Sequence, residues 1–154
     1  MPETHCGFSD VPGGSSGCDL LVSLGPTLLV DIGFDPAYVY VLGGAPPKPG
    51  LTRLEALVDT GATECCIDSL TATQLNLPIV DRRRIGGVGG AQEVNIHLAQ
   101  VFVPSLAFTI FGQFAGVHLQ AGGQMHKALL GRTFLKACSM SYDGATGKVV
   151  ISRI

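Results

Sequence analysis

Ala56-Leu57-Val58-Asp59-Thr60-Gly61-Ala62-Thr63 concentrates the residues best suited to chemistry in this chain. An apolar, β-favouring run ends there in a carboxylate, a hydroxyl and a glycine. Burying a lone carboxylate costs several kcal/mol in practice, so the fold has to solvate or bond Asp59 at its strand end. Thr60 offers a hydroxyl that both donates and accepts. Gly61 lets a turn take a backbone conformation closed to other residues, and lets a second chain or a substrate come close. Two readings of Asp59 stay open at this point. It is a strand-end aspartate capping local amides, a common role for the type, or a catalytic acid or base.

Two further stretches follow at domain-scale distance. One is the glycine-rich Ile85-Gly86-Gly87-Val88-Gly89-Gly90; the other is Leu129-Leu130-Gly131-Arg132, leading into the helix-like Thr133-Phe134-Leu135-Lys136. In this order the three features resemble the retropepsins, the retroviral-type aspartic proteases, across residues 51 to 153. The resemblance implies a mostly β, retropepsin-like acid protease fold: a closed, barrel-like sheet with a flap hairpin and one or two short helices, acting as a homodimer. It implies Asp59, Thr60 and Gly61 as the catalytic loop, Thr60 interlocking with its symmetry mate. Ala62, Ile85, Gly86, Gly87, Val88, Gly89 and Gly90 are implied to face substrate, with Ile85, Val88 and Ala62 as pocket walls. Leu130, Gly131 and Arg132 are implied as structural support crossing behind the catalytic loop.

Peptide hydrolysis of this kind uses two carboxylates that share one proton. Like charges about 3 Å apart do not both ionise, and the aspartic-protease dyad is the standing example of that effect. The chain carries one Asp-Thr-Gly, while Asp10, Asp19, Asp31, Asp35, Asp68, Asp81 and Asp143 lack its context. The second carboxylate is therefore expected from Asp59 of another copy across a two-fold axis. Water is the nucleophile, so neither cofactor nor metal is implied, and extended peptides or proteins are the implied substrates. After Asp-Thr-Gly-Ala the viral enzymes usually carry an aspartate that meets the arginine of Gly-Arg. Here Thr63 and Glu64 follow, so Glu64 or another acid is expected to meet Arg132. A longer leader also precedes the catalytic strand, and a cellular, bacterial member of the family is expected. The competing reading is a catalytically weak dimerisation or peptide-binding module of the same fold.

Composition narrows the remaining classes. At 154 residues the chain has the length of one domain. Charged residues make up 14%, against the roughly 25% that is usual, so much of the surface is apolar or covered by a partner. A net charge of -2 leaves no electrostatic footprint for nucleic acid, and Arg82-Arg83-Arg84 reads as a solvated hairpin base. The five cysteines have neither disulfide-framework nor metal-site spacing. Cys65-Cys66 reads as a pair of buried small residues. His97, His118 and His126 lack ligand spacing and read as surface or hairpin residues. No apolar run approaches a membrane span, and a cytoplasmic location is expected.

The elements that must position these residues read as follows. Residues 1 to 18, rich in proline, glycine and serine, are expected to form a flexible arm, either a disordered terminus or a pro-segment or strand donor. Residues 19 to 154 form the domain. Strands are expected over Asp19 to Ser23, Thr27 to Phe34, Ala37 to Leu42, Leu51 to Val58 and Thr63 to Ile67. A short helix capped by Asp68 or Ser69 ends near Asn76, with Leu70 and Leu75 turned to the sheet. Strands flank the glycine tip at Arg83 to Ile85 and Val94 to Leu98. Further strands are expected over Gln100 to Val103, Ala107 to Phe111 and Phe114 to Leu119. After the helix that places Phe134 and Leu135 in the core, Ser139 to Asp143 and Lys148 to Ser152 pair through the turn Gly144 to Gly147.

Overall fold

The structure, a computed structural model, describes residues 2–86 and 90–154. In chain order its elements are β1 (Glu3–His5), α1 (Gly17–Leu24), β2 (Thr27–Gly33), β3 (Leu51–Val58), β4 (Cys66–Asp68), α2 (Ser69–Gln74), β5 (Ile79–Ile85), β6 (Gln92–Val103), a 3-10 turn at Pro104–Leu106, β7 (Phe108–Val117), β8 (Ala128–Leu130), α3 (Arg132–Leu135), β9 (Cys138–Asp143) and β10 (Lys148–Arg153). The expected mostly β architecture is present. Six strands run β2-β3-β8-β4-β7-β6, and pairing of β2 with β6 closes them into a barrel, leaving β5 attached to β6 alone. Three short helices are described rather than one or two.

Alternation builds the barrel as it reads. Leu28, Val30 and Ile32 of β2 are buried while Leu29 is exposed, because successive side chains of a strand point to opposite faces. Ala56 and Val58 of β3, Ala99, Val101 and Val103 of β6, and Ala128 and Leu130 of β8 fill the same interior. Phe134 of α3 closes it, fully buried and edge-on to Phe108 with ring centroids 5.7 Å apart. The first half of β6 continues outward with β5, whose residues Ile79 to Arg84 are all exposed. A projecting hairpin results, aimed by the barrel half of the same long strand.

The flexible arm is a correction. β1 pairs antiparallel with β10, which pairs with β9, as a separate three-stranded sheet. Beyond β1 the ladder continues through Cys6 N–H to Val149 O at 3.0 Å and Phe8 N–H to Gly147 O at 2.8 Å. The glycines that read as flexibility are packing sites. A Cβ on Gly7 would run into the carbonyl of Gly147, one on Gly17 into that of Phe8, and one on Gly147 into the backbone of Gly17.

Residues 19 to 23 are helical rather than extended. Ser16 caps α1 by accepting from Asp19 N–H at 3.1 Å, and Gly25, at φ 72°, ends it by donating to Leu21 O. These two cap residues outweigh the apolar Leu20-Leu21-Val22 run. Ala37 to Leu42 forms no strand. Asp35 accepts from Ala37 N–H and Lys48 N–H, both at 3.0 Å, curling the chain into a surface loop whose Tyr40 stacks on Phe111. Ala107 to Leu119 holds one continuous strand, β7, with Gly112 at φ 125° inside it. Helix α2 has its expected cap, but Thr71 and Ala72 are its buried residues and Leu70 is exposed. The cap sets this phase: Asp68, buried, accepts from both the N–H and the hydroxyl of Thr71 at 3.1 Å.

Gly147 and Gly43 both have left-handed φ, at 84° and 74°, but a Cβ meets backbone only at Gly147. Gly147→Ala should lower unfolding free energy by about 3 kcal/mol or more and Gly43→Ala by about 1 kcal/mol, as read from denaturant midpoints. Equal losses would show that the N-terminal segment is not locked at this contact.

Candidate active site

The site grows from the end of β3. Asp59 N–H donates to Leu130 O at 2.9 Å, carrying the parallel β3–β8 ladder one residue past the Val58–Leu130 pair. The chain then turns tightly: Ala62 N–H reaches Asp59 O at 3.2 Å, and Gly61 N–H donates to Asp59 Oδ1 at 2.9 Å. Asp59 is half-buried, while Thr60 and Gly61 are exposed. Among the described residues, Asp59 Oδ2 has no hydrogen-bond partner. One carboxylate oxygen is thus fixed by a backbone amide while the other is unbonded among the described residues. Gly61 differs from its expected use, since its backbone lies outside the left-handed region. The glycine supplies room: a Cβ there would sit 3.1 Å from Asp59 Oδ1.

The loop is braced from behind. β8 lies between β3 and β4, parallel to the first and antiparallel to the second. Past it, Arg132 N–H donates to Ala62 O at 2.9 Å and Thr133 N–H to Thr63 O at 3.0 Å. Gly131 is buried so tightly that a Cβ would come within 2.8 Å of Ala62 O. The acid expected for Arg132 is not its partner. Its guanidinium donates to Thr60 O at 2.7 Å and to Thr63 Oγ1 at 3.0 Å, while Glu64 is exposed. The hydroxyl and carbonyl supply acceptors in the fork geometry that arginine favours, so Thr63 takes a part that reading for acids missed. The structure therefore gathers Asp59, Thr60, Gly61, Ala62, Leu130, Gly131 and Arg132 into one unit.

The hairpin residues form a second group. Ile85 is half-buried at the end of β5, opposite Gln92. Gly86 and Gly90 are exposed, Gly90 at φ 97°. Gly87, Val88 and Gly89 lie outside the described residues. The arginine run is the solvated hairpin base expected. Arg82 pairs with Glu93 at 3.4 Å and Arg83 with Asp81 at 3.2 Å, and Arg83 also donates to Gln113 Oε1 of β7 at 2.9 Å. The Arg82 amide and then the Arg83 guanidinium hold the Asp81 carboxyl below its ordinary value. A depression of about 730 Å³ between Tyr38 to Pro46 and Phe111 touches none of the expected site residues.

Other titratable residues correct the reading in detail. Cys65 is buried as expected, but Cys66 on β4 is only half-buried. Burial first, and then the nearby Cys65, Glu64 and Asp59, push the Cys66 thiol up to about 11. It stays protonated, which suits a wall and not a nucleophile. His97 and His126 are buried rather than on the surface. His97 bonds Leu77 O through Nδ1 at 3.1 Å, and His126 Nε2 meets Thr27 Oγ1 at 2.9 Å. Among the described residues no group of three His, Cys, Asp or Glu could hold a metal ion. No helix among them is long and apolar enough to cross a membrane.

A closed barrel that presents an Asp-Thr-Gly turn, gripped from behind by a Leu-Gly-Arg strand end, belongs to the aspartic-protease class. The family model described as "gag-polyprotein putative aspartyl protease" matches residues 50–137. That is more than half of the chain, and the chain belongs to this family. Among solved structures it is similar to "EIAV protease complexed with the inhibitor HBY-793", with 21% identity and a TM-score of 0.47 over 72% of this chain and 85% of that one. No curated protein matches it.

Two substitutions probe the brace and its neighbour. Arg132→Lys keeps the charge but loses the two-pronged grip, and should cost about 1–3 kcal/mol of stability by denaturant titration; a neutral result would place the grip elsewhere. With its thiol at about 11, Cys66 should be alkylated at pH 8 at least about 20-fold more slowly than an ordinary exposed cysteine. Site-resolved mass spectrometry reads that rate, and fast labelling at Cys66 would refute the protonated wall.

Proposed function

We propose that the chain is an aspartic endopeptidase whose active unit is a homodimer, with one Asp59 from each subunit. The observation that carries this reading is the single half-exposed Asp59, one oxygen held by Gly61 N–H and the other unbonded among the described residues. One carboxylate takes a proton from water as its oxygen attacks the scissile carbonyl carbon. The other, protonated, gives its proton to the carbonyl oxygen. Collapse of the tetrahedral diol breaks the C–N bond as the amide nitrogen is protonated, and the pair returns to sharing one proton. Since the titration steps belong to the pair, neither copy owns that proton.

In this reading the β5–β6 hairpin is the flap and the Asp59 loop the floor. An extended peptide lies between them, bonded along its backbone, with alternate side chains in apolar pockets. Ala62, Ile85 and Val88 are the proposed pocket walls, with Gly86, Gly87, Gly89 and Gly90 letting the flap approach the peptide closely. The arginine brace keeps the carboxylate of each subunit oriented toward the shared water. Family membership supports the chemistry.

Hydrolysis of a mixed peptide library, followed by mass spectrometry, tests this. Wild type should cleave, more strongly at acid than at alkaline pH because the pair needs one proton. Asp59→Asn should lose about 10³-fold or more of that rate, and a statine-type inhibitor should block it. If neither protein cuts any peptide while both remain folded dimers, the protease reading fails and the chain binds peptides without cleaving them.

A further inference from the structure

The connection from β2 to β3 is far longer than their pairing needs. Antiparallel neighbours can be joined by a two-residue turn, yet residues 34–50 intervene with neither helix nor strand. That exceeds the roughly 12–15 residues beyond which such connections are uncommon and usually carry function. The segment is nonetheless held to the barrel. Gln100 of β6 accepts from Asp35 N–H at 2.7 Å and donates to Asp35 O at 3.1 Å. Phe111 of β7 takes Tyr38 edge-on and Tyr40 stacked, with ring centroids 6.0 and 5.6 Å away. Past these anchors the tip turns back through Gly44 N–H to Val41 O at 2.8 Å and leaves its aliphatic side chains in water: Leu42 is 80% and Val39 74% exposed.

The tip overhangs the depression of about 730 Å³ beside β6 and β7. Tyr38, Tyr40, Phe102, Phe108 and Phe111 line it, half of the aromatic residues in a chain with seven Phe, three Tyr and no Trp. Its walls are therefore ring faces. Arg153 is the one charged residue among the lining. Its guanidinium lies 4.9 Å from the Phe108 ring centroid and donates through Nη1 to Ala107 O at 2.7 Å, and among the described residues it meets no carboxylate. Among the same residues neither the Tyr38 nor the Tyr40 hydroxyl has a hydrogen-bond partner.

We propose that this depression docks an extended, proline-rich segment of a partner protein, with an acidic residue of that segment set against Arg153. Ring faces suit pyrrolidine rings, and aromatic-lined grooves are the surfaces that take polyproline helices. Such a helix has no internal hydrogen bonds, so its carbonyls are free to accept from the two tyrosine hydroxyls. Charge complementarity supplies the acid: a guanidinium without an anion forms its strongest bonds with a carboxylate. A second copy of the chain suits the groove less well, because a two-fold axis sets the same patch on itself and brings Arg153 toward its own mate. A lipid surface suits it less well too, since one cation beside the apolar tip falls short of the clusters that anionic membranes attract. The groove shares no residue with the Asp59 loop or the described part of the β5–β6 hairpin, so the docked segment and any peptide over Asp59 are separate.

Selection from a random peptide display library on the immobilised full chain should converge on proline-rich sequences containing an acidic residue, equally well with the statine-type inhibitor present. By fluorescence anisotropy the converged peptide should bind about 10-fold more weakly once its acid is changed to the amide, a difference that Arg153→Gln should erase. Tyr40→Ala should weaken binding about 10-fold or more. If Arg153→Gln does not fold, the change within the peptide and Tyr40→Ala, on an exposed loop, still decide. Selection of no binder, or of binders without proline and acid, overturns the proposal, as does affinity indifferent to Tyr40→Ala. Binding lost to the inhibitor places the peptide over Asp59 and overturns it also. Co-sedimentation with phosphatidylcholine–phosphatidylglycerol vesicles that Leu42→Ser abolishes would assign the tip to a lipid surface instead. A chain that cleaves no peptide but passes these tests keeps the groove and loses the protease reading alone.

Discussion

Everything at the candidate site depends on β8 being threaded between β3 and β4. A carboxylate at a strand end needs its backbone fixed before its oxygens can be aimed, and the β3–β8 ladder does this by extending one bond beyond β3, from Asp59 N–H to Leu130 O. The same segment then supplies Gly131, where the loop backbone lies too close for any side chain, and Arg132, whose two donors hold Thr60 and Thr63. The brace is mostly backbone hydrogen bonding plus one guanidinium. Such contacts fix orientation without placing another charge against the carboxylate. In the proposed mechanism, the free face of Asp59 is the one that meets a partner carboxylate and a water.

Much of this was legible because it is encoded locally. The apolar run into Asp59, the alternation in β2 and the Asp68 cap all follow from residue type and spacing. The segment over residues 1 to 18 was not, since Gly7 and Gly17 carry no sign of whether a glycine is loose or pressed against another backbone. That fact belongs to the tertiary contact with Gly147, more than a hundred residues away in the chain. The partner of Arg132 was missed for a related reason: an arginine invites a search for acids, yet hydroxyl and carbonyl oxygens satisfy its fork equally well. His97 and His126 were missed because an imidazole with a backbone carbonyl or a threonine hydroxyl as its hydrogen-bond partner can be buried at modest cost.

Anchoring of the N-terminal segment changes what the small sheet can do. Because β1 bonds β10 of its own chain, β10 is the central strand of the small sheet and β9 an outer one. The glycine contacts at Gly7, Gly17 and Gly147 keep it there by holding the hairpin turn against the segment. An ordered N-terminus and an outer β9 are thus two consequences of one packing choice.

The buried histidine sets a condition on the proposed chemistry, which is expected to run better in acid. Thr27 donates its hydroxyl to Gly25 O at 3.0 Å, so His126 Nε2 donates to the Thr27 oxygen at 2.9 Å, while Nδ1 lies 3.4 Å from Gln124 Oε1. Burial lowers the His126 pKa from 6.5, against a smaller opposing pull from Glu55. The unfolded chain therefore binds this proton first as pH falls. The stability contributed by neutral His126 is complete above about 6.5 and lost progressively between that value and its lower folded one. A carboxylate pair gains its shared proton in the same direction. If the chain cleaves peptides as proposed, the acid limb of that activity is bounded by the barrel as well as by the pair, since His126 stands two residues before β8, the strand on which the position of Asp59 depends.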